Sequence, residues 1–157
     1  MRPGPARFQK HFMAGTLLAF AFPIAGSCLP VQGPDLGQTR SVAEAQHEIV
    51  VILIKKKEFA KAAEEANKIF KMKWPDGEEP VLLKELLGFS DEFRHNKQHE
   101  IALRLLDANI NAFKAPRHKA AIWKDKGYIY KEMGQPDKAL ECFREAQRLE
   151  MGKNSPN

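Results

Sequence analysis

The sequence predicts an all-α chain in which three antiparallel helix pairs stack as a short solenoid. Three observations predict it. From Thr39 onward apolar residues recur with a helical period, and no alternating, strand-like run of useful length interrupts them. Proline, glycine and polar clusters cut that stretch into six segments of similar length. Ala62, Ala102 and Ala139 hold one repeated place in the second helix of each pair, 40 and then 37 residues apart.

The first element is a leader, predicted over residues 1–27. "MRPGPARFQKH" is short and positive, Phe12 to Gly26 is almost wholly apolar over about 15 residues, and "AGSC" is a run of small residues. That apolar run is shorter than the roughly 20 residues of a membrane-spanning helix, and Pro23 interrupts its end. The chain carries 25 Lys and Arg against 20 Asp and Glu, a formal charge of +5. Arg2, Arg7 and Lys10 lie in the leader and the first acid is Asp35, so the basic excess belongs largely to the leader. It gives no reason to expect a nucleic-acid partner.

The leader ends in two readable signals. Ala25 and Ser27 suit an ordinary signal peptidase. The same stretch resembles the lipobox of bacterial lipoproteins, with Gly26 and Ser27 before Cys28 and Ala25 where that family most often has Leu. Both rules cut between Ser27 and Cys28. The resemblance implies that Cys28 is the lipid-attachment residue and that the protein is exported to the cell envelope. Leu29, in place of Asp, resembles the outer-membrane sorting pattern, which implies a periplasmic protein tethered to that membrane. Open alternatives are a soluble secreted or periplasmic protein, one with a Cys28–Cys142 disulfide, and a mitochondrial presequence, although such presequences are amphipathic.

Residues 28–40, with two prolines and two glycines, are expected as a flexible tether. The helical domain is expected over 41–151 and a polar tail over 152–157. Its helices are expected at roughly 41–56, 58–72, 79–95, 98–113, 118–133 and 136–151. "KWPDGEEP" separates the second and third, "KAPRHK" the fourth and fifth, and "MGQPD" the last two, with Pro136 suited to a first helical turn.

The last pair, "AIWKDKGYIYKEMGQPDKALECFREAQRLE", resembles a tetratricopeptide repeat. Trp123, Gly127 and Tyr130 match the first helix, Gly134 the turn, and Ala139, Phe143 and Ala146 the second helix. Gly127 and Ala139 are small where two helices approach closely, and Trp123, Tyr130 and Phe143 fill the space beside them. Sliding the frame upstream places Leu86, Phe89, Ser90, Phe93, Ala102, Leu106 and Asn109, and then Ile49, Val50, Leu53, Phe59, Ala62, Ala66 and Ile69, on the equivalent positions. These two are degenerate: both lack the first-helix glycine, and Asn109 is polar where Ala is usual. Repeats are expected at about 43–76, 83–116 and 120–153, with small insertions between them because 40 and 37 exceed the 34 residues of an uninterrupted array.

The resemblance implies a right-handed stack whose concave side is lined by the first helix of each repeat and holds a partner's peptide or helix. His47, Val51, Ile54, Leu87, Arg94, Lys124, Tyr128 and Lys131 are the expected groove residues, and an apolar, acidic partner is expected to suit them. The Lys and Asn positions with which some members clamp a terminal carboxylate read His47, Val51, Gly88, Ala121 and Asp125, so that clamp is absent. His95 and His99 have i, i+4 spacing, but Asn96–Gln98 reads as a turn between them, and no metal site is expected. The sequence has no CxxC, phosphate-binding loop or GxSxG, so neither cofactor nor catalytic residue is expected. The expected role is a non-catalytic protein-interaction adaptor. The alternative is a structural protein that forms homo-oligomers through its terminal helices, with Leu140, Cys142 and Met151 as candidate apolar surface.

Overall fold

The computed structural model describes residues 35–152. The expected leader, Cys28, the tether up to Pro34 and the tail beyond Gly152 lie outside the described residues. The described residues form α1 (Leu36–Lys55), α2 (Phe59–Lys71), α3 (Glu79–His95), α4 (His99–Asn109), α5 (Pro116–Glu132) and α6 (Pro136–Glu150), with a single 3-10 turn at Ile110–Ala112. Among them there is no strand.

Two boundaries differ from expectation for local reasons. α1 starts at Leu36, so residues 36–40 are helix and not tether: the Asp35 carboxylate caps the helix by accepting from the Gly37 N–H at 3.0 Å. α4 stops at Asn109 and tightens into the 3-10 turn, where the sequence suggests one helix to Phe113. α5 and α6 both begin with proline, whose missing N–H would have no helical partner there.

The repeat is visible in the backbone as well as in the side chains. Each pair turns through one left-handed residue: Lys57 (φ 62°), Lys97 (φ 61°) and Gly134 (φ 70°). At each turn the next residue's N–H reaches five residues back, Glu58 to Leu53, Gln98 to Phe93 and Gln135 to Tyr130, at 2.8–2.9 Å. The left-handed residue itself donates to the carbonyl three before it, on Ile54, Arg94 and Lys131. One turn geometry therefore recurs at the spacing of Ala62, Ala102 and Ala139.

α1 packs on α2, α3 on α4 and α5 on α6. Between pairs, α2 meets α4, and α5 meets both α3 and α4. Phe89, Phe93, Phe113, Leu105 and Leu106 fill the middle of the core. Gly127 lies so close to α6 that an added Cβ would stand 2.7 Å from the Phe143 ring. Ala139 and Ala146 are buried beside it, and Trp123, Tyr130 and Phe143 are half-buried, as close helix contact with large flanking residues requires.

Asn109, the departure from the usual Ala, is buried and bridges two repeats. Its amide donates to Asn67 Oδ1 at 2.7 Å and to the Leu105 carbonyl at 2.8 Å, while Asn67 donates to Ala63. Cys142 is buried and its thiol is pushed up by desolvation, which makes it a core-edge residue and removes it from the expected exposed surface. Leu140 and Met151 do lie exposed.

Candidate functional site

α1 and α3 meet through long side chains, and a cleft of about 900 Å³ opens between their first halves. Ile69 from the end of α2 and Trp74 from the following loop line it, together with Leu82 and Val81 of α3. The six-residue excess between the first two repeats, carried by "KWPDGEEP", supplies Trp74 to this place. Its indole N–H donates to the Ile69 carbonyl at 2.8 Å and closes the end of α2. Trp74 and Leu82 also line a second cleft, of about 580 Å³, on the Glu79 and His118 side.

Two side-chain bridges span the first cleft. Arg40 donates to both Glu78 carboxylate oxygens, at 3.0 and 2.9 Å, and His47 donates from Nδ1 to Glu85. The His47 ring also rests 5.2 Å, centroid to centroid, from Phe89. Glu44 and Glu48 lie on the same wall, exposed and without an ion pair among the described residues. The cleft is therefore apolar inside and anionic on its α1 rim.

The next junction is closed by charge instead of open. Arg94 of α3 donates to Glu132 at 2.6 Å and to Asp125 at 3.3 Å, both on α5. Asp125 also accepts from the Ser90 hydroxyl at 2.6 Å; burial pushes its carboxyl up, and Ser90 and Arg94 oppose that shift. Ser90 thus serves both as the small residue of the repeat and as a hydrogen-bond donor.

The expected groove residues divide accordingly. His47 and Val51 are half-buried on α1, and His47 alone of the set lines the cleft. Ile54 is not a groove residue: it is 6% exposed and belongs to the core, because an apolar side chain at this place folds in where the equivalent Arg94 and Lys131 carry their charges outward. Leu87 is half-buried and packs against the core. Arg94 is engaged as described, and Lys124 donates to Glu150 of α6, so neither offers a free charge. Tyr128 is exposed, edge-on to Phe143 at 5.2 Å, and Lys131 is exposed. Of the eight residues only His47 lines either cleft, so the set is not gathered at one concavity.

The sequence reading missed Trp74, Glu79, Lys126 and the Asp125 partnership. Glu79 accepts from the backbone N–H groups of Lys114 and Ala115 and from His118 Nδ1 at 2.8 Å, tying the start of α3 to the start of α5. Lys126, 6% exposed, lies 3.9 Å over the Trp123 ring and pairs with Asp107 of α4. Only the i, i+3 spacing of Trp123 and Lys126 was available as a signal for it. His95 and His99 sit on different helices, and the His95 ring donates to the Asp91 carbonyl.

A stack of helix pairs joined by repeated left-handed turns defines a solenoid of the tetratricopeptide-repeat kind. Residues 120–150 match the tetratricopeptide repeat family, so α5 and α6 form such a repeat, and the family is one of protein-interaction scaffolds. No curated protein and no solved structure matches the chain. No helix of the described residues is long and apolar enough to cross a membrane.

Proposed function

We propose that this protein is a non-catalytic adaptor of the bacterial cell envelope. It is tethered through lipid on Cys28 and holds a partner's peptide or helix in the cleft between α1 and α3. The observation that carries the binding role is the cleft itself: an apolar hollow of about 900 Å³ between the first helices of adjacent pairs, where this kind of scaffold presents its binding face. The partner it fits has an apolar anchor side chain flanked by Lys or Arg, because Glu44 and Glu48 are the unpaired charges on the rim. This reverses the acidic partner expected from sequence, since Arg94 and Lys124 are occupied within the chain.

A displayed peptide library tests the binding role. Sequences with an apolar residue beside a basic one should be enriched, and Ser41→Trp, which fills the cleft from its exposed wall, should weaken them about tenfold. Equal binding by the filled variant would overturn the assignment. The envelope location is supported by the leader's charge, apolar run and small residues before Cys28. Intact mass of the purified protein tests it: a chain starting at Cys28 and carrying acylglycerol is expected, whereas a bare Cys28 or a Cys28–Cys142 bridge would refute lipid anchoring.

A further inference from the structure

The second cleft, of about 580 Å³, shares Trp74 and Leu82 as walls with the one already assigned to a partner. The first runs along the opening halves of α1 and α3. The second lies between the start of α3 and the start of α5, with Pro75 and Pro80 beside the indole. Both open toward the edge of the stack where α1, α3 and α5 begin, and a ligand that leaves the first cleft across Trp74 enters the second.

The two ends of this track carry opposite charge. At the α1 end Glu44 and Glu48 are exposed and without ion pairs among the described residues. At the α5 end the charges within the cleft are spent on one another: Glu79 accepts from His118 Nδ1 and from the backbone N–H groups of Lys114 and Ala115. Arg117 stands outside them, exposed and without an ion pair among the described residues. Lys114 has only Asp76, 3.9 Å away with both side chains almost fully in solvent, where such a pair is worth little. Aligned on Lys57, Lys97 and Gly134, Arg117 holds in α5 the place of Arg40 in α1, but Arg40 is spent on Glu78.

Helices packed side by side stand about 8–10 Å apart, so the two steps from α1 to α5 span roughly 20 Å. About six residues of extended chain cover that distance, and its alternate side chains, about 7 Å apart, can straddle one indole. We infer that the partner segment bound here is extended and dipolar. It sets a Lys or Arg beside Glu44 and Glu48, apolar side chains on both sides of Trp74, and an Asp or Glu beside Arg117 and Lys114. This rests on the binding role proposed for the first cleft and adds a second contact that fixes the segment's length and orientation. A segment reversed end for end sets its basic end against Arg117 and its acid against Glu44 and Glu48, and charge rejects it.

Selection on the full-length chain from a library of segments long enough for either form tests this. Enriched segments should carry an acid about six residues from the basic end; about 13 residues, the helical spacing for the same span, would overturn the extended form. The best segment, titrated by fluorescence anisotropy, should lose about tenfold in affinity to Arg117→Glu with Lys114→Gln, and changing its own acid to Lys should restore the loss. Both replaced side chains are exposed, so the melting curve should not move. A segment weakened by Ser41→Trp but indifferent to Arg117 and Lys114 would refute the second contact and leave the first cleft's role standing. One indifferent to Ser41→Trp would refute both. Concentration-dependent sedimentation of the chain alone, lost with Arg117→Glu, would give the groove to a second copy. Binding seen only after residues 1–34 are removed would give it to the chain's own N-terminal residues, and either result would overturn the dipolar partner.

Discussion

Among the described glycines, Gly127 is the one whose added Cβ would meet the tightest contact. Gly127→Ala puts a methyl 2.7 Å from the Phe143 ring and should destabilise the fold by about 1–3 kcal/mol in urea titration. Phe143→Leu in the same chain should recover part of that loss. Glu79 makes the matching electrostatic case: the hydrogen bond from His118, with those from Lys114 and Ala115, holds its carboxyl down from the usual 4.5 to about 2. A depressed carboxyl adds stability that is fully present above pH 4.5 and is lost as pH falls toward 2. Glu79→Gln should therefore lower the urea midpoint at pH 6 and flatten its decline between pH 4.5 and 2. Gly127 was legible in the sequence because a motif fixes its size. Glu79 was not, because its three donors come from a junction 35 to 39 residues away.

At the level of elements, the three turns share one backbone but not one residue. Lys57 and Lys97 adopt the left-handed conformation that Gly134 adopts without a Cβ penalty, a strain of about 1 kcal/mol each. Lys57→Gly and Lys97→Gly should each raise the melting temperature, and Gly134→Lys should lower it by a similar free energy. Helix positions were legible because proline and apolar period mark them, and all six expected segments correspond to helices. The start of α1 was misread because a cap depends on one carboxylate, and Asp35 stands two residues before a glycine that reads as loop. Ile54 was misplaced because a groove position was assigned from the frame of the best repeat. The later repeats carry Arg94 and Lys131 at that position, whose long charged side chains reach outward, whereas an isoleucine there joins the core.

Across the whole molecule the pairs are unequally held. The α5–α6 pair is the most closely packed, and Arg94, Ser90 and Glu79 tie it to α3. The first pair is joined to the second across an open cleft, with Arg40–Glu78 and His47–Glu85 as its bridges and Asn67–Asn109 beneath. Stability in such stacks is a sum of repeat and neighbour terms, so the looser end opens first. Hydrogen exchange should show α1 amides exchanging before those of α5, with the gap widening as salt screens the two bridges. Sequence reasoning reached the number and order of the pairs but not this gradient, which depends on contacts between residues about 40 apart. The loop that loosens the first junction also gives the protein its own optical reporter. Of its two tryptophans, Trp123 is fixed beside an ammonium within the last repeat, while Trp74 walls the cleft. Indole emission from a Trp123→Phe chain should therefore shift when a ligand enters, and stay constant when Ser41→Trp is replaced by a smaller filling residue such as Ser41→Leu that keeps the ligand out.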